Sequence, residues 1–199
     1  ISFVEKLYPE YMKNLSTCKS PQQMMGALIK TFFANKLGRK PEDIIVVSIM
    51  PCTAKKYECQ RPEMRSSGAQ DVDIVLTTRE LGKLLRLARI NMSTLKAVPY
   101  DNPLGISTGA AVIFGATGGV MEAAVRSAYE LSTGQSLPDL NLKQFRGFEG
   151  IKEVKGATLV KKDGSKIQVN LAVCNGIGNA RIALEAMKRG DAFWHFVEV

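Results

Sequence analysis

The stretch that most constrains this chain is Ile44 to Met50, IIVVSIM, with Pro51 and Cys52 directly after it. Apart from Ser48 it is apolar, and its residues are mostly β-branched, which favours strand over helix. It falls well short of the ~18 apolar residues that a membrane span requires. A short, continuous apolar run of this kind reads as a strand buried on both faces, the pattern of a parallel sheet. Parallel strands need crossover connections, so helical segments should flank it.

They do. Leu7, Tyr8, Tyr11, Met12 and Leu15 have helical spacing. Ser20 is an N-cap, Pro21 takes the first helical position, and Gln23 completes a capping box. The stripe Met24, Met25, Leu28, Ile29, Phe32, Phe33 follows, with Gly38 closing the helix. Asp73 to Thr77 reads as the next strand, and Thr77 with Glu80 caps a helix carrying Leu81, Leu84, Leu85 and Ala88. Residues 96–108 are irregular. A helix from about Val120 to Leu131, a loop over 134–141, and a hairpin of Gly156–Val160 with Lys166–Val173 turning at Asp163-Gly164 come next. Asn175-Gly176 opens a helix ended by Gly190, and Phe193–Val199 reads as a buried terminal strand. The fold class expected is α/β: two intertwined lobes, roughly 1–100 and 101–199, with largely parallel sheets flanked by helices.

A chain of 199 residues that is 45% hydrophobic and 23% charged is too apolar for disorder. Its net charge of +8 comes from basic residues spread along the chain, densest at Lys55-Lys56, Lys161-Lys162 and Lys188-Arg189 and without interleaved aromatics. That pattern favours a solvated basic surface or an acidic partner over nucleic acid. No membrane partner is expected, and no segment has a signal-peptide layout. The four cysteines, Cys18, Cys52, Cys59 and Cys174, are too scattered for a disulfide scaffold, which points to a reducing compartment, expected to be the cytoplasm, or a redox role. The chain starts at Ile1 and stops on an apolar strand, so it reads as a piece of a longer protein.

Three places could carry chemistry. Cys52 lies at the carboxyl end of the buried strand, where open α/β sheets put their sites, and Lys55 three residues on would favour its thiolate. From spacing alone, a buried structural cysteine beside an exposed lysine pair is the somewhat better reading. Phe114-Gly115-Ala116-Thr117-Gly118-Gly119 precedes a helix and could meet an anion, or simply allow close helix packing. Cys174-Asn175-Gly176-Ile177-Gly178-Asn179-Ala180-Arg181 imitates a dinucleotide turn but has Arg181 where the third glycine belongs. His195, the only histidine, reads as a packed residue.

Taken in order, Ser20-Pro-Gln-Gln23, Met50-Pro-Cys-Thr-Ala-Lys-Lys-Tyr-Glu58, Asp71-Val-Asp-Ile-Val-Leu-Thr-Thr-Arg-Glu80, Ile113-Phe-Gly-Ala-Thr-Gly-Gly-Val-Met-Glu-Ala-Ala124 and Phe196-Val-Glu-Val199 resemble the large-subunit catalytic domain of iron-only (FeFe) hydrogenases. The resemblance spans the whole chain. It implies an enzyme that interconverts protons, electrons and dihydrogen at a 4Fe–4S cluster joined by a cysteine to a di-iron subsite with carbonyl, cyanide and dithiolate ligands. It implies that Cys52 is a metal ligand of the cubane and that Lys55 donates to a cyanide. Ser20, Pro21 and Gln22 would line the same pocket, with Met50, Pro51, Phe114 and Val120 beside the cofactor and Ser16 in a proton relay. The family's first and third cysteine motifs are absent, so the cofactor is not expected intact in this chain and the chain alone is expected to be inactive. The implied partners are the rest of the hydrogenase chain and an electron carrier such as ferredoxin or a partner redox subunit. A relative serving iron–sulfur assembly, or a hydrogen sensor of the same family, is the alternative; a nucleotide binder is disfavoured by the broken glycine pattern.

Overall fold

The computed structural model describes residues 1–106, 109–136, 150–160 and 163–199. The chain forms two compact units, Ile1–Ile106 and Ser107–Val199.

In the first unit the opening helix is broken. Helix α1 (Ser2–Leu7) ends at Tyr8, whose backbone is pushed out of the helical region ahead of Pro9, and a 3-10 turn runs from Pro9 to Asn14. Helix α2 (Pro21–Leu28) starts on the Ser20 hydroxyl, which accepts from the Gln23 amide. Only half of the expected capping box forms. The Gln23 side chain does not reach back; it is fully buried, with neither amide atom partnered among the described residues. The helix continues through a π turn (Ile29–Phe33), where the Thr31 hydroxyl donates to the Ala27 carbonyl, into α3 (Ala34–Lys36). Gly38, at φ +64°, closes it in a Schellman arrangement, with Arg39 N–H on Ala34 O and Gly38 N–H on Asn35 O.

The burial of α2 inverts the expected stripe. Gln22, Gln23, Gly26, Lys30 and Ala34 are buried, whereas Met24, Met25, Leu28 and Phe32 are exposed. The reason is polar. Lys30 Nζ pairs with Asp73 at 2.8 Å, and the Gln22 amide oxygen accepts from Ser48 of the first strand. Gly26 is pressed against the backbone before the second strand, where an added Cβ would lie 2.5 Å from Asp71 O.

Strand β1 (Val47–Ile49) pairs in parallel with β2 (Ile74–Leu76), in register Val47↔Ile74. The parallel pairing agrees with the sequence reading, but burial on both faces does not. Val46 and Val75 pack with Cys59 and Val72, with Ile29, Ile44 and Met50 around them. Ile45, Val47, Ile49 and Ile74 on the other side remain 47–71% exposed. A two-stranded sheet with helices against one face covers only that face. The short α4 (Ala54–Glu58) follows β1. Helix α5 (Thr78–Leu87) follows β2 and carries both halves of its Thr77–Glu80 capping box.

The second unit contains α6 (Ala110–Ile113), α7 (Gly119–Thr133), β3 (Ile151–Val160), β4 (Lys166–Cys174), α8 (Ile177–Arg189) and β5 (Phe196–Glu198). The sheet order is β3-β4-β5. β3 and β4 form the expected hairpin, antiparallel, with a bulge between Val154 and Ala157 at Gly156 (φ +67°). β5 returns through α8 to lie parallel to β4, so this sheet is mixed, not largely parallel. Along β4, Val169, Leu171 and Val173 pack under Met121 of α7, while Ala172 and Cys174 meet Ala180 and Ala183 of α8 and Trp194. The terminal strand is a short edge: Trp194 is buried, but Phe193, Phe196 and Val199 are exposed. His195 is also exposed. Its Nδ1 accepts the Asn170 N–H at 2.9 Å, tying β5 to β4 instead of filling a core. Of the expected 134–141 loop, 137–141 lie outside the described residues, as do Lys161 and Lys162.

Candidate functional site

The carboxyl end of β1 runs into Pro51 and Cys52, then α4, whose first turn is held by Lys55 N–H on Cys52 O at 3.3 Å. This turn puts Lys55 and Glu58 three residues apart on one side of a short helix. Lys55 Nζ donates to Glu58 Oε2 at 3.0 Å and to Oε1 at 3.2 Å, with each side chain about one-fifth exposed. The Ser20 hydroxyl donates to the same Oε2 at 2.8 Å, and Gln22 Nε2 approaches it at 3.5 Å. Gln22 Nε2 also donates to Lys55 O at 3.4 Å, and Gln22 Oε1 accepts from Ser48 Oγ at 2.8 Å. The two segments singled out in the sequence, Ser20-Pro-Gln and the Cys52–Glu58 turn, are therefore joined through one carboxylate.

Glu58 is the residue that sequence reasoning left without a role. It stands in the motif at Lys55 plus three, and that spacing was the signal available. Its carboxylate gathers an ammonium, a hydroxyl and an amide, and charged acceptors make the stronger hydrogen bonds.

Cys52 is an exposed free thiol, and no hydrogen bond ties its side chain among the described residues. Cys59 and Cys174 are buried thiols, and burial pushes the pKa of both up, so they stay protonated and poor as ligands. Cys59 donates to Lys56 O instead. No group of three or more His, Cys, Asp or Glu able to hold a metal occurs among the described residues. An exposed cysteine at a strand end, three residues before a lysine, suits one corner of a sulfur-ligated iron group. The other corners are not supplied by these residues.

Other candidates in the first unit lie outside this network. Ser16 is exposed and its hydroxyl accepts the Cys18 N–H at 3.1 Å. Pro21 and Pro51 are exposed, and Met50 packs into the Val46–Val75 cluster. A cavity of about 460 Å³ lies at the other end of the long helix, between Lys30 and Pro41, and holds none of these residues.

In the second unit, Phe114 is 39% exposed and Val120 half-buried. The glycine turn between them is closed by packing: a Cβ on Gly119 would lie 1.6 Å from Ile113 O. Its free amides are taken by the chain itself. Glu198 accepts from Gly118 N–H at 3.0 Å and from Met121 N–H at 2.6 Å, so a carboxylate already fills the anion position. The dinucleotide-like turn after Cys174 is tied to its own chain. Asn179 donates to Asn175 O at 2.7 Å, and Asn175 N–H binds Gly150 O at 2.8 Å.

Comparison with known proteins identifies the family. The family described as iron only hydrogenase large subunit, C-terminal domain, matches residues 1–199. The chain is 48% identical over 199 residues to the NADP-reducing hydrogenase subunit HndD of Solidesulfovibrio fructosivorans, covering 33% of that protein. It is 42% identical over 195 residues to an iron hydrogenase of Clostridium pasteurianum, again covering 33%. The cytosolic iron-sulfur assembly component 3 of Pongo abelii is 32% identical over 208 residues, with 42% covered. A variant FeFe hydrogenase of Chlamydomonas reinhardtii superposes with a TM-score of 0.78 at 40% identity, over all of this chain and 56% of that one. The chain thus spans a third to just over half of the length of these relatives. With residues 1–199 all matched, the chain belongs to the iron only hydrogenase large subunit family, as part of its C-terminal domain.

Proposed function

We propose that this chain forms part of the catalytic domain of an FeFe hydrogenase that interconverts protons, electrons and dihydrogen. The observation that carries this reading is the joining of Ser20, Gln22 and Lys55 on Glu58 beside the open Cys52 thiol, in a chain 48% identical to a hydrogenase subunit. The cofactor, a 4Fe–4S cluster with a di-iron subsite, supplies the redox chemistry when bound. Cys52 would hold one cubane corner as thiolate. Lys55 would present its ammonium to an anionic diatomic ligand, leaving or sharing Glu58 to do so. Ser20 and Gln22 would keep that ammonium in place through the same carboxylate, and Ser16 would pass protons through its hydroxyl. Pro21, Met50, Pro51, Phe114 and Val120 would exclude water. The cubane's remaining thiolates would come from the longer parent chain, so the 199 residues alone would not turn over dihydrogen. A ferredoxin or a partner redox subunit in the cytoplasm would supply electrons.

The test uses the parent-length enzyme after anaerobic maturation. Cys52→Ala should lose cubane iron by iron counting and EPR. Lys55→Ala should keep that iron and lose most turnover. Wild-type turnover in Lys55→Ala would overturn the role given to Lys55. A wild-type parent that binds iron–sulfur yet evolves no dihydrogen from a reduced viologen would favour the assembly reading instead.

A further inference from the structure

Helix α7 has no side-chain cap of its own, because its N-cap is Gly118, at φ +83°. The amides of its first turn have no intrahelical acceptors. Glu198, remote in sequence, supplies two: Oε1 to Gly118 N–H at 3.0 Å and Oε2 to Met121 N–H at 2.6 Å. The two gripped amides bracket Val120. On the other side the turn is closed on itself by Ala116 N–H on Ile113 O at 3.1 Å and Gly119 N–H on Ala116 O at 2.9 Å, and it carries Phe114. Glu198 is itself fixed, since it pairs with the buried Val173 in the β4–β5 ladder, and β5 is anchored upstream by the mutual Asn170–His195 bonds. The sheet edge therefore dictates where the Phe114–Val120 turn sits.

We propose that Glu198 is a positioning residue for hydrogen turnover, holding the Phe114 and Val120 side chains in place by clamping the start of α7; this rests on the hydrogenase reading above. A carboxylate is the suitable group. It offers two acceptors at the positive end of a helix, and it bars free anions from the same amides. Glutamine would keep one acceptor and turn a donor toward the other amide.

The test compares the cofactor-loaded parent enzyme with its Glu198→Gln and Glu198→Ala variants. Amide exchange at Gly118–Met121 should quicken about tenfold while β4 protection stays unchanged. Turnover should fall by about tenfold or more, with shifted infrared bands of the cofactor's diatomic ligands. Added formate, a free carboxylate, should restore part of both in Glu198→Ala. Quickened exchange with wild-type turnover and unshifted bands would reduce Glu198 to a helix cap and overturn the proposal. Unchanged exchange in Glu198→Gln would also overturn it. If Glu198→Ala fails to fold, Glu198→Gln decides alone. Quickened exchange in a parent whose wild type makes no dihydrogen would sink the hydrogenase reading and the positioning role with it, while the clamp itself would stand.

Discussion

Both units have an apolar cluster, but their helices present different faces to it. In the second, apolar residues of β4 fill both faces of the sheet, and Met121, Ala180 and Ala183 complete two dry clusters. In the first, α2 and the π turn after it put Gln22, Gln23 and Lys30 inward and leave Met24, Met25, Leu28 and Phe32 outside. Apolar periodicity identifies the buried face where burying hydrocarbon outweighs every other contribution. It fails where a helix is oriented by hydrogen bonds to charged groups, because an unmade buried hydrogen bond costs as much as a methyl group or two gains.

Measurements can break this contrast, and the largest effect belongs to the second unit. Met121→Ala should cost about 2–5 kcal/mol in urea unfolding, since it opens a cavity beneath α7. A cost under about 1 kcal/mol would mean that the dry cluster is not what holds this unit.

Next comes Asp71, fully buried in the first unit. Burial pushes its pKa up, but the Ser67 and Ser66 amides and Lys19 outweigh that and hold the carboxyl below its usual range. Its folded pKa being depressed, its contribution is full above the ordinary value of about 4 and is lost as pH falls through the lowered one. Asp71→Asn should cost about 1–3 kcal/mol at neutral pH and flatten the acid limb of stability. An acid limb as steep as wild type would clear Asp71 of the role.

Glu58→Gln should be milder, about 1 kcal/mol, because the network is partly exposed and Gln still accepts one bond. Its sharper mark is the Ser20 hydroxyl, whose proton exchange by NMR should quicken. Smallest is Phe32→Ser, expected within about 0.5 kcal/mol in this chain. A loss above about 1 kcal/mol there would show the outer stripe packed, and the contrast between units would collapse.

Elements with local signals were legible in the sequence. Ser20 and Pro21 start α2, Thr77 with Glu80 starts α5, Asp163-Gly164 turns the hairpin, and Gly190 ends α8. Each is a short-range backbone requirement met by one residue type. The buried face of α2 was not legible, because it depends on Asp73 and Glu58, which lie tens of residues away, and that of β1 was not, because the run does not show how many strands its sheet has. Pro9 broke the first helix although the apolar spacing ran through it. Within the site, Cys52, Lys55 and Ser20 were found by motif. Glu58 stood in the same motif, yet its part as common acceptor emerges only when α2 and α4 meet.

Gly26 extends the consequences of that meeting to a residue with no chemistry. Its missing side chain fixes how near α2 comes to the backbone at Asp71 and Val72. A methyl group there would displace the helix by about 1 Å, and offsets of that size in a positioning element can slow a reaction about a hundredfold. Ser20 and Gln22 ride on the same helix, so their reach to Glu58 would change by a like amount. The spacing of a hydrogen-bond network is thus set by an atom that is not there.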